Sequence, residues 1–461
     1  MKAIKIKEQK EAAMTYDEAK SVLEKNGQGH VLQFWKQLSA KEREALLAQV
    51  ATIDFKELKR CASILAGGGA AAAKKGKPTA PKVAQLKGAA LKKAVEAGEK
   101  ELAAGRVGVL LVAGGQGSRL GYDGPKGAYS IGPVTGASLF HFHARKILAL
   151  GVRYKAAIPF YVMTSAANYD ATVAHFEEND YFGLDPKNVV FFRQGMWPGM
   201  TADGKIILDA PGHVFMSPDG HGGMISALKT NGCFKDMKSR GVKTLFYFQV
   251  DNPMVDVADP AFIGLHTLEK SEYSLKLCAK RDPYEGLGMV VKRDGHFDMI
   301  EYTEMTEEMN TRRTKTGDLY FKFGSPAIHV FDRAFLEREA SKAMPLHLAH
   351  KKIAAVDASG KVVKPAEPNG YKFEKFIFDA LADAKGVSCL AFDRVDEFSP
   401  VKNAEGKDSP ATCRADLQAK WRRQLAKAGV QVPEALPLEV DPAYALDAAE
   451  VATVGLLLRA N

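Results

Sequence analysis

The chain has 461 residues, a formal net charge of +9, 46% hydrophobic residues and 26% charged residues. This length suits one large domain with appendages or two to three domains, and the composition is ordinary for a globular protein in water. No run approaches the roughly 20 apolar residues that span a bilayer, and the first residues lack the apolar core of a secretory signal. The composition therefore predicts no membrane partner.

The cysteines and the positive charge bear on compartment and partners. The five cysteines are scattered, with no CxxC pair and no metal-ligand spacing, which favours reduced thiols in a cytoplasmic protein. Much of the positive charge lies in the N-terminal tail and in residues 74–82. Charge spread in this way favours a solvated surface or a polyanionic small substrate over a nucleic-acid groove. We therefore expect no nucleic-acid partner.

The first segment of the chain, residues 1–66, has the pattern of helices with polar faces from residue 15 onward. Ser39 followed by Glu42 predicts a capping box at the start of one helix. The apolar residues that follow recur at three- and four-residue steps, which predicts one buried stripe: Leu46, Leu47, Val50 and Ile53. Glycine, alanine, proline and lysine then dominate residues 67–82, which predicts a flexible linker.

Between residues 83 and 394, short apolar runs alternate with helical patterns. The candidate strands are residues 109–112, 160–163, 189–192 and 244–250. Two helical faces are predicted, one by Phe140, Ala144, Ile147 and Leu148, the other by Ile225, Leu228 and Phe234. This alternation predicts an α/β fold, with a mostly parallel central sheet covered by helices on both faces.

The last segment, residues 395–461, changes in character. It becomes charged, rich in alanine and helical in pattern, with a proline-dense connector at residues 433–442. This change predicts a small C-terminal domain. No hexapeptide repeat is present, so a left-handed β-helix is not expected there.

A glycine-dense turn follows the first candidate strand and includes Arg119 and Lys126. Glycines let the backbone pass close to a bulky anion, so that amide groups converge on phosphate oxygens, while the two cations add charge. Leu120 stands where a dinucleotide fingerprint has its third glycine, and no Gly-Lys-Ser/Thr follows as in a P-loop. The plainer alternative is a strand-to-helix turn with two solvated cations.

The turn and several later segments resemble the sugar-1-phosphate uridylyltransferases, the UDP-sugar pyrophosphorylase family, and in particular its eukaryotic UDP-N-acetylglucosamine type. The resemblance runs from about residue 28 to about residue 415. Each motif alone is weak, whereas the ordered set is specific. Beside the turn, the motifs are FWKQLS at 34–39, YFGL at 181–184, FFRQG at 191–195, MSPDG at 216–220, VDN at 250–252, EY at 301–302, PNG at 368–370 and DEFSPVKN at 396–403.

The resemblance implies a Rossmann-like nucleotide-diphosphosugar transferase fold and transfer of a uridylyl group from UTP to a sugar-1-phosphate, with release of pyrophosphate. This chemistry needs cations and Mg²⁺ rather than a nucleophilic side chain, because the attacking phosphate is already ionised. By resemblance, Arg119 and Lys126 hold phosphates and Lys402 contacts the phosphate of the sugar. Asp251 matches the carboxylate that binds Mg²⁺. Solvated cations and a helix-capping carboxylate are the plainer alternatives.

The resemblance also assigns residues to the base and to the sugar. The positions that match contacts to uracil and ribose are Gly114, Gly115, Gln194, Pro218 and Gly220. The positions that match sugar contacts are His221, Gly288, Glu301 and Ser325. A glutamine amide pairs with both a donor and an acceptor, which favours uracil over other bases.

Two sugar positions depart from the acetamido-sugar pattern, because His221 and Ser325 each stand where those enzymes have asparagine. The favoured product is UDP-N-acetylglucosamine. The alternatives are a glucose-1-phosphate or broad-specificity enzyme, and a regulatory protein that binds nucleotide sugars without turnover. His221 has the further alternative of a core or helix-capping histidine. The expected substrates are UTP and a sugar-1-phosphate, and the expected assembly is a monomer or weak dimer.

Overall fold

The computed structural model describes residues 4–5, 14–67, 76–447, 449–451 and 453. The α-helices among them are α1 Tyr16–Lys25, α2 Ala40–Ala51, α3 Phe55–Ala66, α4 Gly88–Ala103, α5 Leu139–Tyr154, α6 Tyr169–Glu178, α7 Met224–Thr230, α8 Cys233–Ser239, α9 Pro260–Leu268, α10 Glu307–Thr311, α11 Arg333–Glu339, α12 Arg394–Glu397 and α13 Pro410–Lys427.

The strands in the same residues are β1 Ile4–Lys5, β2 Val107–Val112, β3 Phe160–Thr164, β4 Val189–Arg193, β5 Met196–Pro198, β6 Leu208–Ala210, β7 His213–Val214, β8 Met216–Pro218, β9 Thr244–Gln249, β10 Tyr273–Ala279, β11 Gly288–Arg293, β12 His296–Ile300, β13 Phe323–Asp332, β14 His347–Lys351, β15 Ala355–Val356, β16 Val362–Val363, β17 Gly370–Glu374 and β18 Val387–Phe392.

One sheet of ten strands organises the fold, in the order β1-β4-β3-β2-β9-β13-β10-β18. The first five of these strands run parallel to one another, and β13 lies antiparallel between β9 and β10. The hairpin of β11 and β12 joins the sheet through β13. The predicted α/β class with a mostly parallel central sheet is therefore confirmed.

Side chains alternate along the central strands and supply two cores, one on each face of the sheet. Val109 and Leu111 of β2 face the core that contains α5, α6, α9 and α13, whereas Leu110 faces the core that contains α7, α8 and α11. Buried apolar runs of this kind are what a sheet covered on both faces requires. The predicted helical cover on both faces is therefore present.

The predicted elements correspond closely to the observed ones, with one break. The four candidate strands are β2, β3, β4 and β9, each within two residues of the predicted bounds. Ile225 and Leu228 lie in α7, but Phe234 lies in the separate helix α8. Gly232 ends the common face, since its φ of 70° is left-handed and cannot continue a helix.

The N-terminal helices pack on a third core. Ser39 and Glu42 form the predicted capping box at α2, with each side chain bonded to the backbone of the other residue. Leu46 and Val50 are fully buried in this core, Ile53 is buried just after the helix ends, and Leu47 is partly buried. The core also contains residues from β5 to β8 and β17, so the helices are fixed against the main body.

The predicted domain limits stay a prediction. Residues 68–75 of the predicted linker lie outside the described residues. Its later part pairs with β11, because the N–H groups of Thr79 and Lys292 each donate to the other residue's carbonyl oxygen, at 2.9 and 2.8 Å. In the C-terminal segment, α13 places Leu417 and Trp421 in the core beside α5.

Candidate active site

The glycine-rich turn forms a compact loop after β2. The N–H of Gly117 donates to the carbonyl of Gly124 at 2.9 Å, and that of Lys126 donates to Gly115 at 3.1 Å. A Cβ at Gly117 would lie 2.7 Å from the ring of Tyr122, so this position needs glycine. A Cβ at Gly115 would meet nothing within 4 Å, which leaves that backbone open to an incoming ligand.

A buried asparagine that sequence reasoning missed holds this loop from behind. Asn168 is 1% exposed, and its Nδ2 donates to the carbonyls of Ala113 and Gly115 at 2.9 and 3.2 Å. Its Oδ1 accepts the N–H of Ser165 at 2.8 Å. Residues 165–168 follow β3 directly. Because ligands bind at the carboxyl ends of parallel strands, this position could have marked Asn168 as a candidate site residue.

The loop and Asp251 meet at the same edge of the sheet. Val112 pairs with Gln249 at the ends of β2 and β9, so the segments after these strands leave side by side. Lys126 Nζ lies 3.8 Å from Asp251 Oδ2, with the two side chains 18% and 13% exposed. A carboxylate and a lysine therefore share a partly desolvated position beside the loop.

A second buried asparagine, Asn252, holds the segment that places Lys402 at this position. Asn252 is 4% exposed, donates to the carbonyl of Glu397 at 2.7 Å and accepts the N–H of Ser399 at 3.1 Å. The N–H of Val401 then donates to the carbonyl of Asp251 at 2.8 Å. These bonds fix residues 397–401 against the end of β9 and bring Lys402 beside Asp251.

The pKa of Lys126 is affected by two neighbouring cations and one carboxylate. Burial lowers the pKa of Lys126, Asp251 raises it, and the positive charges of Lys402 and Arg119 lower it further. Arg119 lies on the exposed Ser118–Leu120 turn of the loop. Three cations and one carboxylate therefore act on one another where the loop meets β9, an arrangement that suits a polyphosphate and a divalent cation.

An open pocket of about 180 Å³ lies beside this cluster. It is lined by Asp251 and Lys402 on one side, and by all four predicted sugar residues: His221, Gly288, Glu301 and Ser325. A Cβ at Gly288 would lie 2.9 Å from Met299 Sδ and 3.4 Å from Glu301 Oε1, so any side chain there would crowd the pocket. Six predicted residues from separate parts of the chain thus converge on one cavity.

His221 lies at the pocket wall and is also held by the fold. Its ring stacks on Phe376 with centroids 5.3 Å apart, and its Nδ1 accepts the N–H of Ile377 at 3.2 Å. Burial lowers the pKa of His221 to about 4, with Asp379 raising it and His347 lowering it. The imidazole is therefore neutral at physiological pH, and its fixed tautomer presents Nε2 as an N–H donor.

Ser325 lies in a bulge of β13. The ladder between β10 and β13 shifts register there, and Ala327 adopts a left-handed φ of 61°. Ser325 Oγ accepts the N–H of Ala327 at 3.3 Å. Bulges of this kind turn side chains out of a sheet and are common beside binding sites.

The predicted base-binding residues lie on the other side of the loop. A Cβ at Gly114 would lie 3.1 Å from the amide of Gln194, so the two are in contact. Pro218 ends β8, which pairs with β5, and the N–H of Asp219 donates to the carbonyl of Gly195 at 3.0 Å. Gly220 has a φ of 82° and approaches the carbonyl of Lys375. Gly114, Gln194, Pro218 and Gly220 thus lie at or just beyond the carboxyl ends of β2, β4 and β8.

The side chains around Asp251 determine what kind of metal ion the site could hold. Within the described residues, no group of three or more histidine, cysteine or acidic side chains could hold a metal ion. Asp251 is a single carboxylate beside the cations of Lys126, Lys402 and Arg119. Mg²⁺ is commonly held by one or two carboxylates, substrate phosphates and waters, so the residues present fit Mg²⁺ that arrives with a nucleotide.

Comparison with known proteins identifies the family. A family model described as UTP–glucose-1-phosphate uridylyltransferase matches residues 70–408. This chain belongs to that family. It is 37% identical to the human UDP-N-acetylhexosamine pyrophosphorylase-like protein 1, covering 90% of this chain and 86% of that protein. It is 34% identical to the UDP-N-acetylglucosamine pyrophosphorylase of Saccharomyces cerevisiae, covering 90% and 92%.

A solved structure agrees with this assignment to the uridylyltransferase family. The crystal structure of the Trypanosoma brucei UDP-N-acetylglucosamine pyrophosphorylase superposes with a TM-score of 0.84 at 26% identity, covering 97% of this chain and 96% of that chain. The predicted family, the fold and the class of enzyme, a nucleotidyltransferase of the UDP-sugar pyrophosphorylase type, are therefore confirmed. No described helix is long and apolar enough to cross a membrane. All five cysteines are buried and unpaired.

Proposed function

We propose that this protein is a Mg²⁺-dependent UTP:N-acetylglucosamine-1-phosphate uridylyltransferase that forms UDP-N-acetylglucosamine and pyrophosphate. The observation that carries the proposal is the meeting of Arg119, Lys126, Lys402 and Asp251 at the mouth of the sugar pocket. The names of the relatives support N-acetylglucosamine as the sugar, because the human, yeast and trypanosome proteins are all named for N-acetylhexosamine or N-acetylglucosamine.

In the proposed reaction, a phosphate oxygen of the sugar-1-phosphate attacks the α-phosphorus of UTP. The bond from this oxygen to the α-phosphorus forms, the bond from the α-phosphorus to the bridging oxygen breaks, and pyrophosphate leaves with that oxygen. No proton has to be removed from the nucleophile. Lys402 holds the sugar phosphate, while Arg119 and Lys126 hold the phosphates of UTP. Their fixed positions lower the barrier by orientation and charge neutralisation.

Asp251 would hold Mg²⁺, which would supply positive charge to neutralise the phosphates of the substrates. Lys126 Nζ lies 3.8 Å from Asp251 Oδ2. The carboxylate therefore helps to orient the lysine at the position where the metal and the phosphates would meet.

Base recognition falls to Gly114, Gly115, Gln194, Pro218 and Gly220. Gln194 reads the donor and acceptor of the uracil edge, and the open Gly115 backbone approaches the nucleotide. Glu301 accepts hydrogen bonds from sugar hydroxyls, and Gly288 leaves room for them. Because a wrong base would leave the polar groups of Gln194 unpaired, UTP should outperform CTP and ATP.

Glucose-1-phosphate is the second candidate sugar, and His221 and Ser325 favour it. Asparagine offers an amide donor and a carbonyl acceptor, whereas Ser325 is shorter and already accepts from Ala327. His221 is neutral and held by Phe376 and Ile377, so it has little freedom to follow an acetamido group. Discrimination between the two sugars should therefore be modest.

The test is release of pyrophosphate from UTP, CTP and ATP with each sugar phosphate. We expect turnover with UTP, a preference for N-acetylglucosamine-1-phosphate in kcat/KM, and a stronger preference after His221→Asn with Ser325→Asn. A higher kcat/KM of the wild-type protein for glucose-1-phosphate would instead identify glucose-1-phosphate as the sugar substrate. Equal use of ATP would overturn the uridylyl assignment, and UTP binding without turnover would indicate a regulatory protein.

A further inference from the structure

A buried ion pair lies beneath the segment that carries Asp251. Lys276 of β10 has a side chain only 1% exposed, and its Nζ lies 2.6 and 2.7 Å from the two carboxylate oxygens of Glu397. The same Nζ lies 2.8 Å from Asp259 Oδ2, while Asp259 Oδ1 accepts the N–H of Ala261 at the start of α9. One ammonium group therefore joins a strand of the sheet to α12 and to α9.

Glu397 is tied to the phosphate-binding residues through its own backbone. Its carbonyl accepts Asn252 Nδ2 at 2.7 Å, and the segment that follows bonds to Asn252 and Asp251 before it reaches Lys402. Glu397 Oε2 also accepts the N–H of Asp256 at 3.4 Å. The place of Asp251 and Lys402 relative to β10 therefore depends on where Lys276 holds Glu397.

Two further lysines hold the same loop from the side of α5 and α13. Lys420 Nζ lies 2.9 Å from Asp256 Oδ1, and Lys146 Nζ donates to the carbonyls of Pro253 and Val255 at 2.5 and 2.7 Å. Burial lowers the pKa of Lys146 to about 7, with Lys420 lowering it and Asp256 raising it. The loop after β9 is thus fixed on both sides by buried ammonium groups.

The energetics argue that the Lys276–Glu397 pair does more than stabilise the core. Burying two charges carries a desolvation cost that their attraction often only balances, and well-packed apolar residues at such places are often as stable or more so. An apolar pair would leave residues 397–402 without a directional tie to β10. A directional tie is what a metal-binding carboxylate and a phosphate-binding lysine from distant segments need.

We infer that Lys276 and Glu397 are positioning residues, which set Asp251 and Lys402 at the separation that the two substrates' phosphates require. Neither residue touches substrate; each acts through the backbone of residues 397–401 and Asn252. The inference rests on the proposed uridylyltransferase function for its kinetic consequence. Its structural consequence, the fixed placement of residues 251–256 against residues 397–402, can be measured without any turnover.

The test uses Glu397→Gln, Lys276→Met and the double variant that combines them. The double variant removes both charges of the pair. It leaves Asp259 without its lysine, but that side chain is 22% exposed and still accepts the N–H of Ala261, so the variant should fold even where a single variant does not. The matched control is Glu272→Gln, which breaks a bidentate pair with Arg338, both contacts at 2.8 Å, just before the start of β10. The measurements are melting temperature, kcat, the Mg²⁺ concentration for half-maximal rate, and amide hydrogen exchange in the absence of substrates.

We expect the double variant to recover most of the melting temperature lost by the single variants. It should nevertheless keep a kcat about tenfold below wild type and a raised Mg²⁺ requirement, as changes behind a metal ligand commonly do. Exchange should quicken at residues 251–256 and 397–402 in the variants of the pair but not in Glu272→Gln, which should lose stability and keep its kcat.

Two results would overturn the inference. One is a double variant whose kcat and Mg²⁺ requirement return to wild type together with its melting temperature. The other is unchanged hydrogen exchange in both segments of that variant. A wild-type protein that releases no pyrophosphate with any sugar phosphate would instead overturn the proposed function, and the exchange measurement would still decide the positioning role.

Discussion

Replacing Lys126 by methionine isolates the contribution of one charge in the proposed phosphate site, because methionine keeps much of the side chain's length without its ammonium group. Lys126 Nζ lies 3.8 Å from Asp251 Oδ2 and its side chain is 18% exposed. At that separation two unit charges interact by about 4 kcal/mol at an effective dielectric constant of about 20. A phosphate oxygen that took the place of the carboxylate would be held with an energy of the same order.

Arg119 and Lys402 act at the same position and would compensate for part of this loss. We therefore expect Lys126→Met to lower the stabilisation of the transition state by about 3 kcal/mol, which is on the order of a hundredfold in kcat/KM. Lys126→Arg retains a charge and should lose less. The assay is initial-rate release of pyrophosphate over a range of UTP and sugar-phosphate concentrations.

The melting temperature of each variant serves as the control for folding. Lys187→Met offers a matched comparison, since Lys187 lies on the exposed turn before β4, away from the pocket. It should keep wild-type kinetics. A well-folded Lys126→Met protein with more than about a third of wild-type kcat/KM would refute the reasoning, because so small a loss corresponds to less than about 1 kcal/mol.

Three further predictions concern the metal, the loop and pH. Asp251→Asn should raise the Mg²⁺ concentration needed for half-maximal rate, because a neutral amide is a poorer ligand for a hard cation; an unchanged requirement would leave Asp251 without a metal role. Asn168→Ala should raise the KM for UTP about tenfold, since losing its buried bonds to the loop costs about 1–3 kcal/mol; Asn179→Ala, a change on the exposed end of α6, should leave KM unaltered. Because the pKa of Lys126 lies below the ordinary 10.5, kcat/KM should fall as pH rises through that lowered pKa, and Lys126→Arg should move the fall to higher pH; profiles that superpose would show that another group sets this limb.

Local patterns in the sequence determined the elements and the family. The apolar runs at β2, β3, β4 and β9 are buried on both faces, so their composition marks them without reference to the rest of the chain. The capping box of Ser39 and Glu42 depends on a spacing of three residues and is present as predicted. The glycine-rich loop could be placed after β2 because its glycines serve close backbone approaches such as that of Gly117 to Tyr122.

The sequence predicted the limits of an element less well where that limit depends on a single backbone angle. The helical face that included Phe234 crosses Gly232, whose left-handed conformation separates α7 from α8. Hydrophobic periodicity continues across such a break, because both helices bury their apolar residues in the same core. A pattern of burial alone therefore does not distinguish one helix from two.

Only the tertiary structure showed how residues that are distant in the sequence are held in place at the site. Asn168 reaches the glycine-rich loop, and Asn252 fixes the segment that carries Lys402, through side-chain bonds that no periodicity encodes. The sequence likewise gives no sign of the pair of Lys276 and Glu397, because a lone lysine or glutamate is usually a charge on the protein surface. Local patterns depend on neighbours along the chain, whereas these contacts depend on how β3, β9, β10 and α12 are arranged around one sheet. For that physical reason the sequence by itself determined which chemical groups the protein has, and the fold determined where these groups come together.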